Sequence, residues 1–149
     1  MSSSEYQREY DDLRSRGYIV KSIGTSSAIT PDNSRFAAVW NDGSFRGYKT
    51  HHGMTSKELD SKTKEYGVLG HKIIQLSGYN VGDSSRYAAI WSAYEKSDIM
   101  VLNDLTSEEY QDRFDELKTK GYRIVYVNAH NVSGKVCFFG IWKSRDAFL

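Results

Sequence analysis

Three tryptophans at equal spacing are the side chains best suited to hold a ligand by stacking. Trp40, Trp91 and Trp142 lie 51 residues apart. An indole offers a large rigid face to a sugar or an aromatic ring. Two interpretations remain open: three equivalent stacking platforms, or, as we favour, three anchors of a repeated core.

Two polar–aromatic pairs occupy turn-rich stretches at equivalent places along the chain. Tyr79-Asn80 lies in GYNVGDS, and His130-Asn131 lies in AHNVSG. The composition of both stretches predicts hairpin tips, which are surface loops where binding residues concentrate. We therefore expect these four residues to be candidate ligand-binding residues. The structural alternative is turn formation, which asparagine favours.

Two arginines begin equivalent strand-like segments. Arg35 and Arg86 precede Phe-Ala-Ala-Val-Trp and Tyr-Ala-Ala-Ile-Trp, whereas Cys137 stands at that position in the third segment. A guanidinium can bind an anionic or polar group of a ligand, and an ordinary ion pair at the strand end is the alternative. Cys137 lies between Val136 and Phe138, which predicts an inert, buried thiol.

The pair His51-His52 is the candidate for a metal site. Neighbouring histidines in a linker can contribute imidazole ligands to a transition metal, although no third ligand follows at a recognisable spacing. No other cofactor is required by any motif. Ser61-Lys62-Thr63-Lys64 fits S-x-x-K, but the chain has neither S-D-N nor K-T-G, so we expect no catalysis there.

Composition excludes several classes of function. The chain has 149 residues, a net charge of +1 and a single cysteine, which favours one soluble globular domain without disulfides. Its charge balance argues against nucleic acid and acidic membranes as partners. There is no apolar run long enough to span a bilayer, and the start MSSSEY predicts a cytoplasmic protein.

Internal repetition predicts the elements that position these residues. Residues 1–18 align with 105–122 and, more loosely, with 54–71, which gives repeats at 1–53, 54–104 and 105–149. Each begins with an N-cap candidate, a stripe at i, i+4, i+7 and a glycine that ends the helix. The N-cap candidates are Ser3, Thr55 and Thr106, with capping boxes expected at the second and third.

Two strand-like segments follow each helix. The first strands are 18–23, 72–77 and 123–128, and the second strands are 35–40, 86–94 and 136–143. We predict an α+β fold of three tandem αββ repeats of about 51 residues. The expected architecture is a six-stranded, largely antiparallel sheet with three helices on one face. The opposite face is also apolar, so it lines a groove, closes into a threefold body or contacts another subunit.

The repeated motifs resemble a known family. Thr106–Arg123, Ser77–Gly82 and Arg86–Trp91 resemble the bacterial tandem repeat domain, which often precedes a β-lactamase-like serine hydrolase domain, as in fungal polyglycine hydrolases. A weaker similarity is to small ββα-repeat mushroom proteins that bind a pigment-like aromatic molecule. The first resemblance implies a non-catalytic repeat body without an assigned ligand.

Two functional hypotheses follow. The first is a non-catalytic module that binds a carbohydrate or a small aromatic molecule, with one asymmetric site at least as plausible as three equal ones. The second is a protein–protein interaction or self-associating module, with a homodimer as one form. No nucleophile–base pair is recognisable, so we do not expect an enzyme.

Overall fold

The computed structural model describes residues 1–30, 33–43 and 47–144. The helices are α1 (Ser3–Ser15), α2 (Ser56–Val68) and α3 (Ser107–Thr119). The strands are β1 (Tyr18–Ser26), β2 (Arg35–Asp42), β3 (Tyr48–Met54), β4 (Lys72–Val81), β5 (Ser84–Ser92), β6 (Ile99–Leu105), β7 (Tyr122–Val132) and β8 (Lys135–Ser144). The prediction of an α+β protein of three tandem repeats is confirmed.

The helices begin with a capping box in all three repeats. Thr55 and Thr106 form capping boxes with the glutamates three residues on, as predicted. The first helix is capped by Ser2 rather than Ser3, and Ser2 forms a capping box with Glu5. Each box satisfies backbone N–H groups that the first turn leaves without partners. The glycines that follow the helices, Gly17, Gly70 and Gly121, have φ of 87°, 78° and 84°.

The strands form three antiparallel sheets, not the single six-stranded sheet that we predicted. The described residues contain eight strands, in the orders β1–β2, β3–β5–β4 and β6–β8–β7. The two additional strands, β3 and β6, precede a helix and pair with the central strand of the following sheet. The repeat analysis missed them because an edge strand of this kind is held by backbone pairing to residues far along the chain.

Helices α1 and α2 each lie between two sheets, and α3 lies at one end of the array. One side of each sheet, which we call its inner face, packs on the helix of its own repeat, and the opposite side is its outer face. Phe36 of the first sheet packs with Tyr6 of α1, and Ala88 and Ile90 on the outer face of the second sheet join that core. Phe139 and Ile141 on the outer face of the third sheet similarly join the core around α2. The array is therefore layered as sheet, helix, sheet, helix, sheet, helix.

The first strands of successive repeats lie side by side along the inside of this array. The Gln75 amide donates to the Ile23 carbonyl at 3.0 Å and accepts from the Ile23 N–H at 3.4 Å. Thr25 and Ser77 share a hydroxyl–hydroxyl hydrogen bond of 2.7 Å. These bonds fix β1 against β4 and thereby set the angle at which the first two sheets diverge around α1.

Candidate functional site

A groove of about 460 Å³ opens between helix α1 and strand β3. We call it the first groove. Its walls carry six aromatic rings: Tyr6, Tyr10, Tyr48, His51, His52 and Tyr66. The separation of sheet one from sheet two by α1 creates this space, and β3 provides its floor. Aromatic rings in an open groove offer stacking surfaces to a planar or sugar-like ligand.

Polar side chains line the helical flank of the first groove. Gln7, Asp11 and Arg14 lie at i, i+4 and i+7 on α1, which places them on one side of the helix. The Gln7 amide donates to the Asp11 carboxylate at 3.1 Å. Lys49 lies opposite them on β3. The groove therefore combines ring faces with donors and acceptors of both charges.

The two histidines of the first groove point in different directions. His51 Nε2 lies 2.5 Å from the Tyr66 hydroxyl, and its ring stacks on the Tyr66 ring with planes 17° apart. His52 Nε2 lies 3.2 Å from Ser3 Oγ, and its ring stands edge-on to Tyr6. Burial lowers the pKa of both imidazoles and favours their neutral forms.

The predicted metal pair is therefore corrected. His51 and His52 lie on a strand and not in a linker, and successive side chains of a strand point to opposite faces. The His51 ring packs against α2 and the His52 ring packs against α1, so the two imidazoles do not converge on one ion. Across residues 1–30, 33–43 and 47–144, no three His, Cys, Asp or Glu side chains cluster to hold a metal.

A second groove, of about 370 Å³, occupies the equivalent place between α2 and β6. In the repeat alignment Thr63 stands for Tyr10, Lys64 for Asp11 and Gly67 for Arg14. Ile99 and Met100 stand where Tyr48 and Lys49 line the first groove. The second groove lacks the tyrosines and the Asp–Arg flank of the first groove, although it keeps one ring, His71, and several charged side chains.

The predicted hairpin-tip residues lie in strands. Tyr79 and Asn80 belong to β4, and His130 and Asn131 belong to β7, because the tight turns begin only at Gly82 and Ser133. Tyr79 and His130 are buried, at 3% and 8% exposure. Their rings pack between repeats, so the prediction that they stand on exposed tips is wrong.

The two asparagines support the turns beside them. The Asn80 side chain donates to the Gly82 carbonyl at 3.0 Å, and the Asn131 side chain accepts from the Gly134 N–H at 2.9 Å. This is the turn chemistry that the sequence offered as the alternative. Neither lines the first groove, and both line a separate, more open groove of about 590 Å³ beside the two turns.

The arginines and the cysteine occupy one register position in three sheets. Arg35 pairs with Ser26, Arg86 with Tyr79 and Cys137 with His130. The Arg35 and Arg86 guanidiniums donate to the carbonyls of Ser34 and Ser85 at 3.1 and 2.9 Å. Cys137 is half-buried rather than buried, and burial raises the pKa of its thiol. These residues do not line the first groove.

The tryptophans differ in exposure. Trp91 and Trp142 are buried, so their faces are closed to an external ligand, and Trp40 is half-buried beside Tyr6 and Tyr10. Ser61 is exposed on α2 and does not line the first groove. Tyr10, Asp11 and Tyr48 line the first groove but were not predicted from the sequence as site residues. The signal that marks them is their replacement by Thr63, Lys64 and Ile99 at aligned positions of the next repeat.

The stacked αββ units define a tandem-repeat protein, in which each unit buries its core against the next. A family model described as polyglycine hydrolase-like, structural repeat matches residues 1–43, 46–93 and 99–145. The chain belongs to this family, and the resemblance drawn from its motifs is confirmed. In the described part of the chain, none of the helices has the length and apolarity needed to cross a membrane.

Proposed function

We propose that this chain is a non-catalytic binding module that takes a sugar or a small aromatic molecule in the first groove. The observation that carries the proposal is the contrast between the two grooves. The first groove carries the half-buried rings of Tyr10 and Tyr48 at positions where the second groove has Thr63 and Ile99. One asymmetric site then replaces the three equivalent sites that strict repetition would give.

The ring faces and the polar flank fit complementary parts of such a ligand. Tyr10 and Tyr48 are half-exposed and stand on opposite walls of the first groove. Asp11 and Lys49 supply an acceptor and a donor to hydroxyl, amide or carboxylate groups. Stacking with a few directed hydrogen bonds is the usual composition of a small-molecule site.

The protonation states in the first groove support binding rather than catalysis. Burial lowers the pKa of His51 and raises the pKa of Tyr66. Both groups are therefore neutral near pH 7, and His51 Nε2 and the Tyr66 hydroxyl share a hydrogen bond of 2.5 Å. A phenol that keeps its proton is neither a nucleophile nor a general base.

The proposal is tested by saturation-transfer NMR with a panel of monosaccharides, disaccharides and small aromatic acids. A positive ligand is then titrated against Asp11→Ala and Lys49→Ala. Each variant is expected to weaken binding about tenfold, since loss of one charge-assisted hydrogen bond costs ~1.5 kcal/mol.

Matched controls come from the second groove. Lys64→Ala and Met100→Ala change the aligned positions on α2 and β6, and both are expected to leave the affinity unchanged. Equal loss of affinity in both sets of variants would reject the first groove as the site. Absence of saturation transfer from the whole panel at millimolar ligand would reject the function.

A further inference from the structure

The third repeat presents an open aromatic face. Tyr110 of α3 stacks on Phe138 with centroids 5.2 Å apart and planes at 25°. Tyr6 and Phe36 form the same pair in the first repeat, at 5.3 Å and 25°. Tyr6 and Phe36 are buried, whereas Tyr110 and Phe138 are only half-buried. The same stacked pair is thus buried in the first repeat and partly exposed in the third.

Within the chain, the outer face of the following sheet packs over the aromatic residues at these positions. Tyr79 stands edge-on to Phe36 at 5.7 Å, and Ala88 and Ile90 complete that cover. In the next interface Tyr87 takes the place of Phe36, and it is covered by His130 at 5.8 Å together with Phe139. Among the described residues, no sheet packs over Tyr110 and Phe138 of the third repeat.

The first sheet has an outer face of the same kind, and in the described part of the chain no helix packs against it. Ala37 and Val39 occupy the positions that Ala88 and Ile90 occupy in the second sheet. Ala37 is exposed and Val39 is 59% exposed. Among the described residues, no element of the first repeat packs closely on an element of the third, so the chain does not close on itself.

We propose that the protein associates head to tail with a second copy of itself, the outer face of the first sheet covering the open face of the third repeat. The contact repeats the two interfaces inside the chain, with Ala37 and Val39 in the roles of Ala88 and Ile90. Arg35 repeats Arg86, which the interface between the first and second repeats already accommodates. This proposal does not depend on the first groove.

The association is heterologous, so it leaves a free head and a free tail and adds copies in succession. It is also weaker than the internal interfaces. Ser26 stands where Tyr79 and His130 supply an edge-on ring, and Val39 is one methylene smaller than Ile90. We expect growth beyond the monomer to be visible only at high micromolar concentration and above.

Sedimentation velocity from about 10 μM to ~1 mM tests the proposal, a range that spans weak self-association. The wild-type protein is expected to show an average mass that rises continuously past the dimer. Val39→Lys blocks the outer face of the first sheet, which is the head. Val127 pairs with Gly140 on the inner face of the third sheet, so Val127→Lys blocks the open face of the third repeat, which is the tail. Both valines are substantially exposed, at 59% and 45%, so the monomer is expected to keep its fold.

The decisive measurement mixes the two blocked variants. Each alone is expected to stay monomeric, and the mixture is expected to form a 1:1 complex, because each variant retains the surface that the other lacks. Val68→Lys, at a residue 89% exposed on α2, is the control that leaves association unchanged. Should Val127→Lys disturb the circular dichroism spectrum, Val136→Lys blocks the same end at a residue 50% exposed.

Three results would overturn the proposal. The first is a monomer at every concentration. The second is that Val127→Lys abolishes association while Val39→Lys associates as the wild type does, which would indicate a symmetric contact between two tails. The third is a failure of the two blocked variants to combine.

Discussion

The ring of His130 stands edge-on to the ring of Tyr87, with their centroids 5.8 Å apart and their planes at 82°. Tyr79 has the same relationship to Phe36 in the preceding interface, at 5.7 Å and 83°. His130 Nε2 also lies 3.0 Å from Ser85 Oγ. One position on the first strand of a repeat therefore packs into the core of the repeat before it.

The variant His130→Ala is expected to destabilise the protein by ~2–4 kcal/mol, because it removes a buried ring and leaves a cavity between repeats. His130→Tyr is expected to recover at least half of that loss, since tyrosine already serves at position 79. Urea unfolding followed by tryptophan fluorescence measures both. A His130→Ala midpoint equal to that of the wild type would show that the ring does not support the interface.

Stability is expected to fall as the pH drops below about 6.5, the usual histidine pKa. Burial lowers the folded-state pKa of His51, His52 and His130, with Asp104 partly opposing this at His130. The unfolded chain therefore binds protons first, and their contribution is complete above the unfolded pKa and is lost below it. Urea unfolding at pH 7.5 and pH 5.5 measures the difference.

The capping glutamates Glu5, Glu58 and Glu109 do not interfere in this range, because hydrogen bonds at their caps lower their pKa from an ordinary value that already lies below pH 5.5. His130→Tyr provides the control, and its stability is expected to change less between the two pH values. An equal or greater stability at pH 5.5 in the wild type would contradict the assignment of neutral buried imidazoles.

Tyr87 and Asp104 form a pair whose removal is expected to be non-additive. The Tyr87 hydroxyl donates to the Asp104 carboxylate at 2.6 Å, and Asp104 has a φ of 52° at the bulge of β6. The aligned residues in the preceding interface are Phe36 and Gly53. Asp104→Gly alone relieves the backbone but removes the carboxylate that accepts from the Tyr87 and Ser56 hydroxyls, which costs ~1–3 kcal/mol.

The double variant Tyr87→Phe/Asp104→Gly gives this interface the same pair of residue types that Phe36 and Gly53 provide in the preceding interface. Its loss of stability is expected to be smaller than the sum of the single losses by about 1–2 kcal/mol. A double-mutant cycle from chemical unfolding measures this coupling. Strict additivity would mean that the Tyr87–Asp104 bond contributes nothing beyond its parts.

An ion pair ties the linker after β5 to the third sheet. Lys143 donates to the Glu95 carboxylate, and both side chains are mostly buried. Desolvation opposes ionisation of Glu95, but hydrogen bonds from Lys143 and Ser97 outweigh it and lower its pKa to about 2. Its contribution is therefore complete above the usual carboxyl pKa and is lost as the pH falls toward 2.

The variant Glu95→Gln is expected to cost ~1–3 kcal/mol, because it leaves the Lys143 ammonium without its charged partner. Thermal unfolding at pH 7 measures the loss. The i,i+4 pair of Arg16 and Asp12 is exposed, so Asp12→Asn is the control with little expected effect. Equal melting temperatures for Glu95→Gln and the wild type would reject a stabilising role.

Local sequence signals predicted the helices, the caps of the second and third helices and the paired strands of each repeat, because those features depend on neighbouring residues. Thr63 looked like a weak point in the helical stripe. In the structure it accepts from the Trp91 indole at 3.4 Å, a role that only the folded packing shows. Strand β3 and the first groove were missed for the same reason, since both arise from contacts between repeats.

Strands β3 and β6 also determine how such an array lengthens. A duplicated segment 54–104 carries one helix, one hairpin and the strand that pairs with the following sheet. A copy inserted after residue 104 receives its edge strand from its predecessor and supplies one to its successor. Gene duplication in steps of this length therefore adds units whose second hairpin strand is paired on both sides, as β5 and β8 are, so that this strand never becomes an exposed sheet edge of the kind that promotes aggregation.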